Sequence, residues 1–305
     1  MQTLNEQAVM LGPRKSLVSV ITKDKAAAAT ADRPTIVILN SGIVHRVGAN
    51  RMTVRLARAL AAAGHTVVRF DLSGVGDSEP RPEAIEPLDA ALADIRDVLD
   101  SLEAGQNGRR FILGGLCSGA NHTVVYAGTA RRVVGTVLLE PSFPPGLKHY
   151  AHHFGRRIVR LDSWRRLARR EHRLWRALGQ RISRVAGRGS ATGVNGDAGP
   201  VDEPRQAKIT DPEIRAFLES AYTRLRDREI PLMVVLSGES WYYRESFLDA
   251  FPRVRFGDRL RLEFLEHADH VFTSQDARTR VIRFLEDWTK STSFPHGDSG
   301  DGGDR

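Results

Sequence analysis

The 305-residue chain carries one cysteine, and it sits in the run Gly115-Leu116-Cys117-Ser118-Gly119, between an apolar stretch and a segment of helical character. A nucleophile on a strained strand-to-helix turn needs small residues two positions before and two after it, because those positions approach closely. Centred on Cys117, both positions are glycine. Centred on Ser118 they would be Leu116 and Ala120, and Leu116 would clash. The spacing therefore selects Cys117. A thiol at a helix N-terminus has its thiolate stabilised by the helix dipole and by a nearby imidazole. The plain alternative is a structural cysteine in an ordinary turn.

A nucleophile of this kind needs a base. The run Glu266-His267-Ala268-Asp269-His270-Val271-Phe272 follows a late apolar stretch and supplies two histidines. His270 is preferred over His267, because it leads directly into the last helix. A carboxylate should then orient the histidine and stabilise its charged form. The first choice is Glu239, in the loop Ser237-Gly238-Glu239-Ser240-Trp241, which gives the order Cys, Glu, His. Glu140, at the end of the apolar run after the cysteine's helix, is the alternative. Two backbone donors should hold a developing oxyanion. The N–H of Ser118 is one, and the N–H of Ile43, in Asn40-Ser41-Gly42-Ile43, is the other.

The remaining histidines suggest no role. His65 and His122 read as core or surface residues. His149, His152, His153 and His172 lack the clustered carboxylates that a metal site would want, so neither metal nor cofactor is expected.

These residues need a scaffold that gathers loops at one edge of a sheet. Candidate strands near Ala8–Leu11 and Leu17–Thr22, joined by Gly12-Pro13, predict a hairpin at a sheet edge. A regular alternation follows. Strands are expected at Thr35–Leu39, Thr66–Phe70, Arg110–Gly114 and Val133–Leu139, with helices at Asn50–Ala63, Leu88–Leu102 and Ala120–Ala130. After an interruption it resumes with strands Pro231–Leu236 and Leu260–Leu265 and helices Tyr243–Phe251 and Ala277–Thr289. Strands alternating with helices over short loops predict an α/β fold, a mostly parallel sheet covered by helices on both faces.

The interruption reads as an inserted helical cap. Leu161, Trp164, Ala168, Trp175, Leu178 and Ile182 fall on one helical face, and arginines fill the other. Residues 187–204 read as a loop, and Asp211 as the N-cap of a helix reaching Leu225, with Pro212 at its first position. The expected organisation is residues 1–33 as N-terminal strands and loop, 34–141 and 230–290 as two parts of one core, 142–229 as cap, and 291–305 as a disordered tail.

Composition narrows the rest. With 41% hydrophobic residues the chain can bury a large core. A single cysteine excludes an internal disulfide and a cysteine-rich zinc site, and it suits a reducing compartment. No apolar run approaches about 18 residues and no signal pattern opens the chain, so a cytoplasmic protein without a membrane span is expected. The net charge of +8 is concentrated between Lys148 and Arg188, where about a dozen arginines face Asp162 and Glu171. Such a surface can receive an anionic part of a substrate. Nucleic acid is the weaker partner, since the tryptophans of that segment read as packing residues.

Taken together, Asn40-Ser41-Gly42, the turn Asp71-Leu72-Ser73-Gly74-Val75-Gly76-Asp77-Ser78, the elbow Gly115–Gly119 and Ala268-Asp269-His270 resemble the successive signatures of α/β-hydrolases of the serine-aminopeptidase-like group. The stretch from Gly42 to Gly48 and on to Asp71 further resembles the small hydrolases associated with exosortase and exopolysaccharide gene clusters. The resemblance covers nearly all of 35–289 outside the cap. It implies an α/β-hydrolase fold and an acyl-transfer reaction, hydrolysis or transfer, on a small ester or thioester through an acyl-enzyme. The chain departs from the pattern at the nucleophile, as dienelactone-hydrolase-like enzymes do, and at Trp241, where many relatives place an aspartate. The alternative is a catalytically weakened binding protein that uses the basic cap. That alternative gains if no carboxylate meets His270. The sequence leaves the oligomeric state open.

Overall fold

The computed structural model describes residues 4–25, 33–104, 108–143, 212–238 and 245–295. Its strands are β1 (Leu4–Leu11), β2 (Leu17–Asp24), β3 (Thr35–Leu39), β4 (Val67–Phe70), β5 (Phe111–Leu116), β6 (Val133–Leu139), β7 (Leu232–Ser237) and β8 (Leu260–Leu265). The helices are α1 (Met52–Ala62), α2 (Pro87–Glu103), α3 (Ser118–Ala127), α4 (Pro212–Asp227), α5 (Ser246–Ala250) and α6 (Gln275–Ser291).

The strands form one sheet in the order β1-β2-β4-β3-β5-β6-β7-β8. The hairpin β1–β2 is antiparallel and joins β4 antiparallel, while β4, β3, β5, β6, β7 and β8 pair in parallel. The parallel strands β3 to β7 are buried along their length, which is why they read as unbroken apolar runs. Each face carries its own core. On one face Ile95 and Leu99 of α2, Val124 of α3 and Tyr222 and Leu225 of α4 pack on the sheet. On the other, Leu56 and Leu60 of α1 meet Val281, Leu285 and Trp288 of α6.

Three elements differ instructively from the expectation. Helix α1 starts at Met52 because Asn50 and Arg51 adopt φ of 51° and 58°, outside the helical region. Helix α4 lies in the stretch assigned to the cap, yet its Leu218, Ala221, Tyr222 and Leu225 are buried in the main core. Residues 144–211, where the rest of the cap and its arginine-rich face are expected, lie outside the described residues. Residues 291–295, expected in the tail, pack against the rest of the fold. Phe294 packs edge-on against Trp288, with ring centroids 5.3 Å apart, and Arg110 donates to the Pro295 carbonyl at 3.0 Å. No helix among the described residues is long and apolar enough to cross a membrane.

Candidate active site

The fold brings the ends of β3, β5, β6, β7 and β8 to one edge, where the loops that follow them carry the polar groups. At the end of β5, Cys117 takes φ 57° and ψ −113°, a strained conformation for a residue with a Cβ, and α3 starts immediately after it. The flanking glycines make this turn possible. A Cβ on Gly115 would lie 2.6 Å from the Gly119 carbonyl carbon, and a Cβ on Gly119 would lie 2.7 Å from the backbone oxygen of Asn40. The backbone holds the turn from both sides: Cys117 N–H donates to the Leu139 carbonyl at 2.9 Å, and Asn121 N–H donates to the Cys117 carbonyl at 3.1 Å.

His270 follows β8 and faces this turn. Its Nδ1 lies 3.0 Å from Oε2 of Glu140, and the ring also hydrogen-bonds the Cys117 side chain. With Nδ1 held by the carboxylate, Nε2 is the nitrogen left for sulfur. The Cys117 contact is the main cause raising the imidazole pKa, and Glu140 adds to it. Together they outweigh burial, and the pKa rises to about 9. His270 therefore favours its charged form, next to sulfur and carboxylate.

Glu140 sits one residue beyond β6, with φ 51° and a side chain closed off from solvent. Its other oxygen accepts the backbone N–H of Ser237, itself fully buried at the end of β7. Both carboxylate oxygens are thus used, one to fix the acid and one to hold the imidazole. Glu140, the alternative acid, meets His270; Glu239, the first choice, lies outside the described residues. His267 is exposed on the same loop. Asp269, also nearby in sequence, accepts the Thr273 N–H at 2.8 Å and shapes the loop that presents His270.

The loop after β3 faces the elbow. The N–H of Gly42 donates to Oγ of Ser118 at 2.6 Å, and the N–H of Val44 donates to the Ser41 carbonyl at 2.9 Å. Of these successive amides, the one between, Ile43, is the group expected to serve the oxyanion, and the residue is 92% exposed at the loop's tip. The hydroxyl of Ser118 has a structural use that its position in the sequence does not reveal. It ties the loop to the elbow across 76 residues.

Behind that loop lies a buried ion cluster. Asp71, fully buried, accepts the backbone N–H and the guanidinium of Arg46, and it receives the Asp77 N–H at 3.2 Å. Arg46 also reaches Asp77 at 2.7 Å. The glycine-rich turn is pinned from the other side by Asp94, which accepts the N–H and hydroxyl of Ser73 at 2.7 and 2.6 Å. These acids are architectural. They hold the two loops next to the site in place, and none touches His270.

His65 is buried and His122 half-buried, and burial lowers the pKa of each. His149, His152, His153 and His172 lie outside the described residues. Among the described residues no group of three histidine, cysteine or acidic side chains could hold a metal ion.

A parallel sheet bearing a strained elbow, with an imidazole and a carboxylate gathered at its edge, defines the α/β-hydrolase class. An esterase from Pyrococcus furiosus matches with a TM-score of 0.53 at 14% identity, covering 94% of this chain and 91% of its own. A dienelactone hydrolase from Anabaena variabilis matches with a TM-score of 0.55 at 13% identity, covering 95% of this chain and 97% of its own. The esterase domain of a Rhodothermus marinus protein matches with a TM-score of 0.53 at 15% identity, covering 94% and 98%. At these identities the likeness is one of fold. No curated protein sequence matches. Residues 37–284 match the alpha/beta hydrolase family, and the chain belongs to it.

Proposed function

We propose that the protein is a cysteine-dependent hydrolase of small esters or thioesters, with Cys117 as nucleophile, His270 as proton carrier and Glu140 as the orienting acid. The contact of His270 with both Cys117 and Glu140 carries this reading. A fold kept only for binding would have no use for a buried carboxylate held against that imidazole.

In the proposed reaction the Cys117 thiolate attacks the substrate carbonyl carbon and forms a C–S bond. The carbonyl oxygen becomes an oxyanion, received by the N–H groups of Ser118 and Ile43. Collapse breaks the bond to the leaving alkoxide or thiolate, and the His270 imidazolium supplies its proton. The neutral imidazole then takes a proton from water as the water attacks the acyl-enzyme; the C–S bond breaks, the carboxylic acid departs, and the Cys117 thiolate–His270 imidazolium pair is restored. An alcohol or thiol in place of that water would give acyl transfer instead. Glu140 keeps the ring in one tautomer and favours its charged form, without itself accepting the proton. An anionic portion of the substrate, received by the arginines between Lys148 and Arg188, and a cytoplasmic setting belong to the same proposal.

The test compares an ester and thioester panel with wild type, Cys117→Ser and Cys117→Ala, alongside iodoacetamide labelling. Rapid labelling of Cys117 that is abolished in His270→Ala supports the reading. Unchanged turnover in Cys117→Ala sinks it.

A further inference from the structure

Beneath the elbow, between α1, α6 and the sheet, lies a partly open cavity of about 60 Å³. Its walls are apolar side chains, among them Met52, Leu56 and Leu60 of α1, Leu116 of β5 and Leu285 of α6. Gly115 and Leu116 of the elbow strand and Asn40 and Ser41 at the end of β3 also line it, so it reaches the strand ends that carry the site.

The polar side chains in the wall are not equivalent. Thr53 donates to the Arg46 carbonyl at 2.5 Å and Thr289 to the Glu286 carbonyl at 3.1 Å. Asn40 is different. It is 3% exposed, and neither its amide nitrogen nor its amide oxygen has a partner among the described residues. A buried amide without partners is costly, and such a group calls for a specific explanation. Asn40 also stands at the end of β3, where its backbone oxygen lies against Gly119 of the elbow. It therefore marks the boundary between the reacting groups and the apolar interior.

We infer that this cavity receives the hydrocarbon part of a short unbranched acyl group, with the Asn40 amide lying beside the polar end of the acyl group where it enters. The inference rests on the acyl-enzyme reading and names its substrate class. Size fixes the chain length. An apolar cavity of about 150 Å³ holds benzene, so about 60 Å³ takes about two or three carbons beyond the carbonyl. That corresponds to propanoyl or butanoyl groups. Charged acyl groups are disfavoured, because no charged side chain lines the wall.

The test measures kcat/KM on p-nitrophenyl acetate, butyrate, hexanoate and octanoate with wild type, Leu56→Phe and Leu60→Ala. A pocket of fixed depth should favour butyrate over octanoate by about tenfold or more. Leu56→Phe should lower the butyrate-to-acetate ratio by about tenfold, and Leu60→Ala should raise the hexanoate-to-butyrate ratio by a similar factor. Wild type that prefers octanoate, or ratios unchanged in variants that melt cooperatively, overturns the inference and leaves Cys117 catalysis standing.

A second measurement on wild type alone covers variants that fail to fold. Propyl and octyl methanethiosulfonates each transfer their alkylthio group to Cys117, forming a disulfide and releasing methanesulfinate. Relative to glutathione, the propyl reagent should label about tenfold faster. That preference without any ester turnover supports the cavity and overturns the acyl-enzyme reading. Equal labelling rates overturn the cavity.

Discussion

Glu140 and His270, 130 positions apart in the chain, meet at 3.0 Å at the edge of the sheet, the carboxylate fully buried and the imidazole partly open. The pairing depends on adjacent strands. β6 and β7 align Leu139 with Val235, so that Ser237 lies within reach of the Glu140 carboxylate and anchors it.

Neutralising this acid should lower the His270 pKa from about 9, because the carboxylate contributes to raising it. Turnover that needs the imidazolium as proton donor falls as that group deprotonates. The high-pH limb of kcat/KM should therefore lie near pH 9 in wild type and move to lower pH in Glu140→Gln. Activity at neutral pH should drop by about 10² or more, since the orienting acid fixes the tautomer. A pH–rate profile for the two proteins checks both, and an unmoved limb would contradict the role given to Glu140.

Removing the Ser118 hydroxyl should act on the rate more than on the fold. In Ser118→Ala the Gly42 N–H loses its acceptor, and the loop that carries Ile43 loses its tie to the elbow. The cost should be about 1 kcal/mol, in line with a single exposed hydrogen bond. The loop's contribution to the oxyanion should weaken, with kcat falling by about tenfold while the melting temperature changes by a few degrees. Steady-state kinetics with calorimetry separates the two. A large loss of stability with unchanged kcat would argue for a purely structural hydroxyl.

Much of this site was legible before the fold was known, and the exceptions share one cause. The glycines at 115 and 119 pointed to Cys117 because the constraint is local, and their close backbone approaches bear out that steric argument. Strands Val133–Leu139 and Leu260–Leu265 have the bounds expected, since turn residues punctuate both ends. Local residue type favours Glu239 in the loop after β7, whereas Glu140 reaches His270 from the end of β6. The choice depends on how far two neighbouring strands extend and on a positive φ at Glu140, neither of which is written in local residue type. The bond between Ser118 and Gly42 and the solitary amide of Asn40 are likewise products of tertiary proximity.

The elbow should tolerate no side chain at Gly119. In Gly119→Ala the new methyl meets the Asn40 carbonyl, which belongs to the end of a central strand and cannot swing away as a flexible side chain would. Overpacking of this kind costs about 1–3 kcal/mol. Displacing Asn40 also shifts the oxyanion loop next to it. Urea denaturation should show a reduced midpoint, and folded Gly119→Ala should retain little turnover. A stable, fully active variant would mean the elbow is looser than its backbone distances indicate.

The buried ion cluster should be needed for stability and not for chemistry. Asp71 is fully buried and Arg46 mostly so, and the pair is supported by the Arg46 and Asp77 amides. Truncating Arg46 to Met leaves a buried carboxylate without its cation, a change that costs about 3 kcal/mol or more in comparable settings. Arg46→Met together with Asp71→Asn removes the charge imbalance, so the double variant should recover much of that loss. Denaturation of the single and double variants measures the coupling. Equal stability of Arg46→Met and wild type would show that solvent already satisfies Asp71.

The His270 pKa also links folding to pH. Its folded value, about 9, is raised above the ordinary 6.5, so the folded state binds the proton more tightly than the unfolded chain does. The stability this group contributes is fully present below about pH 6.5 and is lost as pH rises through 9. Since the ring is partly solvent-exposed, the effect should be modest and readable as a slope. Thermal melting of wild type should fall between pH 6.5 and 9 more steeply than that of His270→Gln, which cannot bind this proton. Parallel slopes for the two proteins would show that the imidazolium, although poised for catalysis, is not bound more tightly in the fold.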